Sequence, residues 1–224
     1  MPAAAWLPTA GSLTRRAVML GHGGSGDKHS ARNQRLARLL AAAGVITMAI
    51  DGPYHGDRIE VPMSPSEYQR AIIDEGVSAV TARMTTDWRA ALAALRQADL
   101  IDAEPVGYIG VSMGARYGLP LAAALGDEMG AVVLGSFGLQ QTPLIDPRLH
   151  DTDGILQAAQ AISAPTLIHV QWDDEVFPRA GQFDLFGRVG AHDKRLLAYP
   201  GLHAGAPPEA ERDWTQFVIS RLVA

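Results

Sequence analysis

The chain has 224 residues, 47% hydrophobic and 19% charged, with a formal net charge of -5 and no cysteine. That balance supports a buried core and excludes a disordered or bilayer-embedded chain, and the length suits one domain spanning residues 1–224. Without cysteine there can be no disulfide, thiolate metal site or cysteine nucleophile, and the net negative charge with scattered basic residues gives nucleic acid no footing.

Residues Met1 to Leu13 carry neither a basic start nor a long apolar run, and no later stretch is long enough to span a bilayer. A cytoplasmic location with no membrane partner is the expectation. The first predicted strand is Arg16 to Leu20, with room for at most one weak strand before it. A glycine-rich loop follows, Gly21-His22-Gly23-Gly24-Ser25-Gly26, then a helix over about Ala31 to Ala43 capped by Gly44.

The second strand, Val45 to Ile50, leads into Asp51-Gly52-Pro53-Tyr54-His55-Gly56-Asp57-Arg58. Ser64-Pro65-Ser66-Glu67 has the form of a capping box and starts a helix. Another helix is predicted from Asp87 to Gln97. The stretch from Pro53 to about Asp87 is the longest between strands and, with Phe137 to Thr152, is a candidate cover for a site, though too short for a separate lid domain.

Strand Val106 to Val111 is followed by helix Met113 to Leu125, strand Ala131 to Leu134, helix Asp153 to Ile162, strand Thr166 to Gln171, strand Arg195 to Tyr199 and helix Glu209 to Leu222. Apolar β-branched runs alternating with helices predict an α/β fold around a parallel sheet covered on both faces.

Gly110-Val111-Ser112-Met113-Gly114 matches G-x-S-x-G at a strand-to-helix turn. Such a turn forces a strained backbone on Ser112 and leaves little room for side chains beside it, hence the glycines. A serine hydroxyl needs a base to become nucleophilic, and histidine has the suitable pKa. Of seven histidines, His203 lies after the last strand, at the sheet edge where Ser112 stands.

An acid that orients the histidine belongs after a strand, and Asp173, Asp174 and Glu175 all follow Thr166 to Gln171. The Gly21 to Gly26 loop can bring backbone N–H groups to a substrate oxygen, with Gly24 as donor or Gly23 in its place, joined by the amide of Met113. It lacks the endings and spacings of a phosphate loop. Tyr54, Phe137, Leu139 and Phe177 sit in loops that reach the same edge and are candidates to wall a substrate pocket. Arg116 reads as a buried hydrogen-bonding residue. His22, His29, His55, Asp27 and Asp57 match no metal-ligand spacing, and His150, His169 and His192 have no constellation around them.

Taken together, these motifs resemble the α/β-hydrolase superfamily, and in particular its small bacterial esterases and dienelactone-hydrolase-like members. The resemblance runs over most of the chain after Arg15. It rests on the His-Gly-Gly segment, the segment Asp51 to Arg58, G-x-S-x-G, the D-x-x-x-P segment Asp174 to Pro178 and the late G-x-H, in the family's order of Ser, Asp, His. In that family the acid usually stands four residues before a proline, which selects Asp174.

The resemblance implies a six- or seven-stranded, mostly parallel sheet without a large lid. It implies a triad of Ser112, Asp174 and His203, an oxyanion hole at Gly24 and Met113, and no cofactor. Gln171 and Ala115 replace residues that are glycine in many members, and neither removes a catalytic group. The activity implied is hydrolysis of a small carboxylic ester by a serine esterase. Thioester, lactone and carbon–carbon cleavage, or slow-turnover ligand binding, are the other activities the same residues allow.

Overall fold

A computed structural model describes residues 2–9 and 13–223. Its seven described strands form one sheet in the order β1-β3-β2-β4-β5-β6-β7. They are β1 (Ala3–Trp6), β2 (Ala17–Gly21), β3 (Ile46–Ile50), β4 (Val106–Val111), β5 (Met129–Gly135), β6 (Thr166–Gln171) and β7 (Lys194–Tyr199). Only β1 runs antiparallel, pairing with β3 at the edge from Ala3 opposite Ile50 to Trp6 opposite Thr47. The other pairings are parallel. This is the α/β architecture that the alternation of elements predicts, with β1 as the one strand before Arg16.

Strands β2, β3, β4 and β6 are buried along their whole length, whereas the edge strands β1 and β7 alternate in exposure. The difference follows from helices on both faces of the centre and a free side at each edge. Helices α1 (Ala31–Ala41) and α7 (Pro208–Leu222) close one face through Leu36, Leu40, Trp214 and Phe217. The opposite face is covered by α2 (Pro65–Glu75), α3 (Val77–Gln97), α4 (Met113–Leu125), α5 (Thr152–Ala161) and α6 (Arg179–Arg188), which contribute Ile72, Trp88, Leu119, Ile155 and Leu185 to its core.

Two boundaries depart from the sequence reading, and one helix, α6, is absent from it. Helix α1 ends at Ala41, and Gly44 takes a left-handed φ of 75° three residues on, past the cap position expected for it. Helix α3 starts at Val77, ten residues before Asp87. The threonines in between are weak helix formers, but Val80, Met84, Trp88 and Leu92 continue one buried stripe, and Thr85 and Thr86 donate to the carbonyls of Thr81 and Ala82. Helix α6 has two glycines, Gly181 and Gly187, that interrupt its apolar pattern, so its periodicity does not stand out.

A buried ion pair fixes the loop after β3. The Lys28 ammonium, 5% exposed, bonds Asp51 at 2.7 Å and Asp57 at 2.6 Å, and Asp51 also accepts the backbone N–H groups of Lys28 and Asp57. Burial pulls the Lys28 pKa down, but the bonds to Asp51 and Asp57 outweigh it and leave the ammonium above its ordinary value. Burial likewise pushes Asp51 up, and the Lys28 bonds leave it below the ordinary carboxylate range. Breaking such a pair strands a buried charge. Lys28→Met is expected to cost about 3–5 kcal/mol, read as a lower urea midpoint with an unchanged m-value; a loss below about 1 kcal/mol would refute the anchoring role.

Candidate active site

The centre of the site is the turn between β4 and α4. Ser112 holds φ 57° and ψ -122°, a conformation strained for a non-glycine residue. A Cβ at Gly110 would lie 2.7 Å from the Gly114 carbonyl oxygen, and one at Gly114 would lie 2.5 Å from that of Gly21. Both positions therefore need glycine, and the Ser112 hydroxyl is held out at the carboxyl edge of the sheet.

His203, in the loop after β7, places Nε2 at 2.8 Å from Ser112 Oγ. Its Nδ1 lies 3.0 Å from each carboxylate oxygen of Asp174, which follows β6 and is 6% exposed. With Nδ1 facing a carboxylate, the N–H belongs there and Nε2 is left to accept from the serine. Asp174 is positioned by its own turn, accepting the backbone N–H groups of Val176 at 2.9 Å and Phe177 at 2.8 Å and the Gln182 amide at 3.3 Å. Asp173 is exposed, its N–H donating to the Gly201 carbonyl. Glu175 accepts the His203 backbone N–H at 2.8 Å, bracing the loop that carries the histidine.

The glycine-rich loop leaves β2 beside this turn. A Cβ at Gly23 would stand 3.9 Å from that of Ser112, and Gly24 borders both hollows that meet at the serine. The Gly23 carbonyl accepts from Gly26 N–H at 3.1 Å and from His22 Nδ1 at 2.8 Å. A trans peptide directs its N–H opposite to its C=O, so pinning this carbonyl orients the Gly24 N–H away from those partners. Met113 opens α4, and its N–H has no acceptor within the helix.

His22 is tied to backbone at both nitrogens, since Nε2 also accepts the Gly52 N–H at 2.7 Å. His55 lies against the carbonyls of Pro53 at 2.7 Å and Gly24 at 2.9 Å. Both histidines thus brace the loop.

The inner hollow lies beside Ser112 and Met113. Its roof is Tyr68, Gln69 and Ile72 of α2 with Val77 of α3, and Ile145 and Leu149 of the loop after β5 close one side. Of the four residues proposed from loop position to wall a pocket, Phe177 borders this hollow. Phe137 is 1% exposed and packs behind Phe177, their tilted rings 5.0 Å apart. Tyr54 turns to Glu75, to which its hydroxyl donates at 2.5 Å, and Leu139 packs on the core. Loop residues were the natural guess, yet the walls come chiefly from helices. Residues 68, 69 and 72 share one helical face, a signal readable in the sequence once the segment after Pro53 is taken as a cover. Arg116, also in the hollow's wall, donates to the Leu149 carbonyl at 2.6 Å and Gln141 at 3.3 Å.

No protein-family model and no curated protein matches the chain. Solved structures do. A cold-adapted esterase from an Arctic intertidal metagenomic library, solved with bound PEG, is 29% identical, with a TM-score of 0.83 over 99% of this chain and 88% of that one. An acetyl xylan esterase from Paenibacillus sp. R4 is 20% identical, with a TM-score of 0.75 over 99% and 80% of the two chains. A dienelactone hydrolase from Anabaena variabilis is 22% identical, with a TM-score of 0.64 over 99% and 90%. The last two share the fold.

Burial holds His22, and likewise His169 in the β6 core, at a pKa of about 4 instead of 6.5. Below pH 6.5 the unfolded chain therefore binds protons that the folded chain refuses. Stability is full above pH 6.5 and falls as the pH drops towards 4, by about 3 kcal/mol for each histidine. Urea midpoints at pH 7.5 and 4.5 measure the loss, and His169→Leu should flatten the slope; an unchanged slope in that variant would reject the assignment.

Proposed function

We propose that this chain, an α/β-hydrolase by fold, is a serine esterase that transfers the acyl group of a small carboxylic ester to water. The observation that carries the reading is the hydrogen-bonded run from Ser112 Oγ to His203 Nε2 at 2.8 Å and from His203 Nδ1 to Asp174 at 3.0 Å. The likeness to an esterase at 29% identity over 99% of the chain supports the same reaction class.

In this reading His203 Nε2 takes the Ser112 proton as Oγ attacks the ester carbonyl carbon. Asp174 holds the imidazole in the required tautomer and stabilises the imidazolium that forms. The amides of Gly24 and Met113 receive the oxyanion, with Gly23 supplying the turn that presents them. His203 then gives its proton to the departing alkoxide, and a water that it deprotonates releases the acid from Ser112. No step calls on a cofactor. Seven described strands in one sheet support reading residues 1–224 as one domain, and the cytoplasmic location expected from the sequence goes with that reading. Among the described residues, no helix is long and apolar enough to cross a membrane.

The roof that α2 lays over the hollow beside Ser112 suits a short acyl group. Hydrolysis of p-nitrophenyl esters from acetate to decanoate is expected to peak at the short end and to withstand a chelator. Ser112→Ala should lower kcat by about 10⁴-fold or more, and Asp174→Asn by about 10⁴-fold with KM little changed. Turnover that survives Ser112→Ala would rule out the acyl-enzyme.

A further inference from the structure

Charge is distributed unevenly over this molecule. The chain has 24 acidic and 19 basic residues, yet among the described residues no aspartate or glutamate lines either hollow that meets at Ser112. The inner hollow has Arg116 in its wall, and the outer cleft has Arg32 and His203 in its lining. An acidic protein thus presents a cationic cleft at its nucleophile.

Arg116 is the more telling of the two. It stands one helical turn beyond Ser112, its N–H donating to the Ser112 carbonyl at 3.0 Å. Its guanidinium meets only neutral groups: the Leu149 carbonyl, the Gln141 amide oxygen and the face of Phe137, whose centroid is 5.2 Å away. Tyr68 and Tyr117 are its hydroxyl neighbours, and the acid it senses, Asp151, lies at longer range and is engaged in capping α5 through Gly154. A guanidinium carries five donors and stays charged in proteins. Setting that charge in a hollow without a carboxylate is costly, and an incoming anion offsets the cost.

Arg32 reinforces the field at the entrance. The carboxylate near it is Glu211, at 3.9 Å, and Glu211 is already held by two bonds from Arg35 at 2.7 and 2.9 Å. One carboxylate therefore serves two arginines.

We propose that the natural substrate is an ester whose short acyl chain ends in a carboxylate, and that Arg116 binds this group in the inner hollow while Arg32 draws the anion into the cleft. The inference rests on the esterase reading and adds its substrate class. Arg116 and Ser112 line the same hollow, so the acyl group meant is a short one, as in half-esters of four- and five-carbon dicarboxylic acids. Water adds its hydroxyl to the acyl carbon and its proton to the alcohol, so the products are a dicarboxylate and a free alcohol.

The test compares monomethyl glutarate with methyl hexanoate, which carries an ethyl group in place of the carboxylate. The wild type is expected to favour the acid in kcat/KM by at least about tenfold, the factor for about 1.4 kcal/mol. Arg116→Gln should abolish that ratio, mainly through KM, and Arg116→Lys should keep part of it. A wild type that hydrolyses the neutral ester equally well or better overturns the proposal while leaving the esterase reading intact, and needs no variant to fold. If neither ester is cleaved, the p-nitrophenyl series still decides the esterase reading, and calorimetric titration of the wild type with monomethyl glutarate and with methyl hexanoate decides the anion site. Tighter binding of the half-ester supports it, and equal or absent binding overturns it.

Discussion

Close contact between the first turn of α4 and the end of β2 governs the geometry of the site. Gly21 and Gly110 are partners in the β2–β4 ladder, and Gly114 sits so near Gly21 that no side chain fits between them. The Tyr108 hydroxyl donates to the Gly114 carbonyl at 2.6 Å and fastens the helix to its own strand. Because the glycine-rich loop starts at Gly21, the same contact that strains Ser112 delivers the loop to its side. The two glycine motifs, nearly ninety residues apart in the chain, are the two halves of one packing interaction.

A second layer keeps that arrangement from relaxing. His22 and His55 bind backbone on either side of Gly24, and their rings lie 5.4 Å apart. The segment Asp51 to Arg58 holds His55 in place: Gly56, at φ 53°, packs on the Asp51 carboxylate, and Arg58 donates to the Asp51 carbonyl at 2.8 Å. A stretch that reads as a conspicuous mixture of turn formers and charges is therefore scaffolding. Its polar groups are spent on orienting peptides instead of on substrate, which is a means of preorganising donors before charge develops.

The chain's own letters made the central strands and the nucleophile turn legible, because buried parallel strands need unbroken apolar runs and a strained turn needs glycine at fixed positions. Ser112, His203 and the acid loop could be placed at one sheet edge by the same logic. Choosing Asp174 over Asp173 and Glu175 took the family resemblance, since three adjacent acids look alike until the turn decides which one faces inward. The roof's helical face was legible, but where it docks was not. Tyr68, Gln69 and Ile72 belong to a helix whose start was clear but whose tertiary docking is set by distant contacts such as the Asp146 N–H to Gln69 at 2.8 Å. Arg116 reads in the sequence as a buried hydrogen-bonding residue, and its lack of a charged partner, a property of space, is not legible there.

The helices α2 and α3 that roof the hollow are one uninterrupted insertion between β3 and β4, whereas the reacting groups sit on β4, β6 and β7 and the loops that leave them. The roof of the hollow and the chemistry are thus encoded in separable stretches of the gene, while Arg116 ties the hollow's charge to the nucleophile helix. Exchanging a single contiguous cassette would re-tailor the shape of the hollow while the nucleophile, its base and its acid stay untouched, so the fold is arranged to diversify by recombination as readily as by point change.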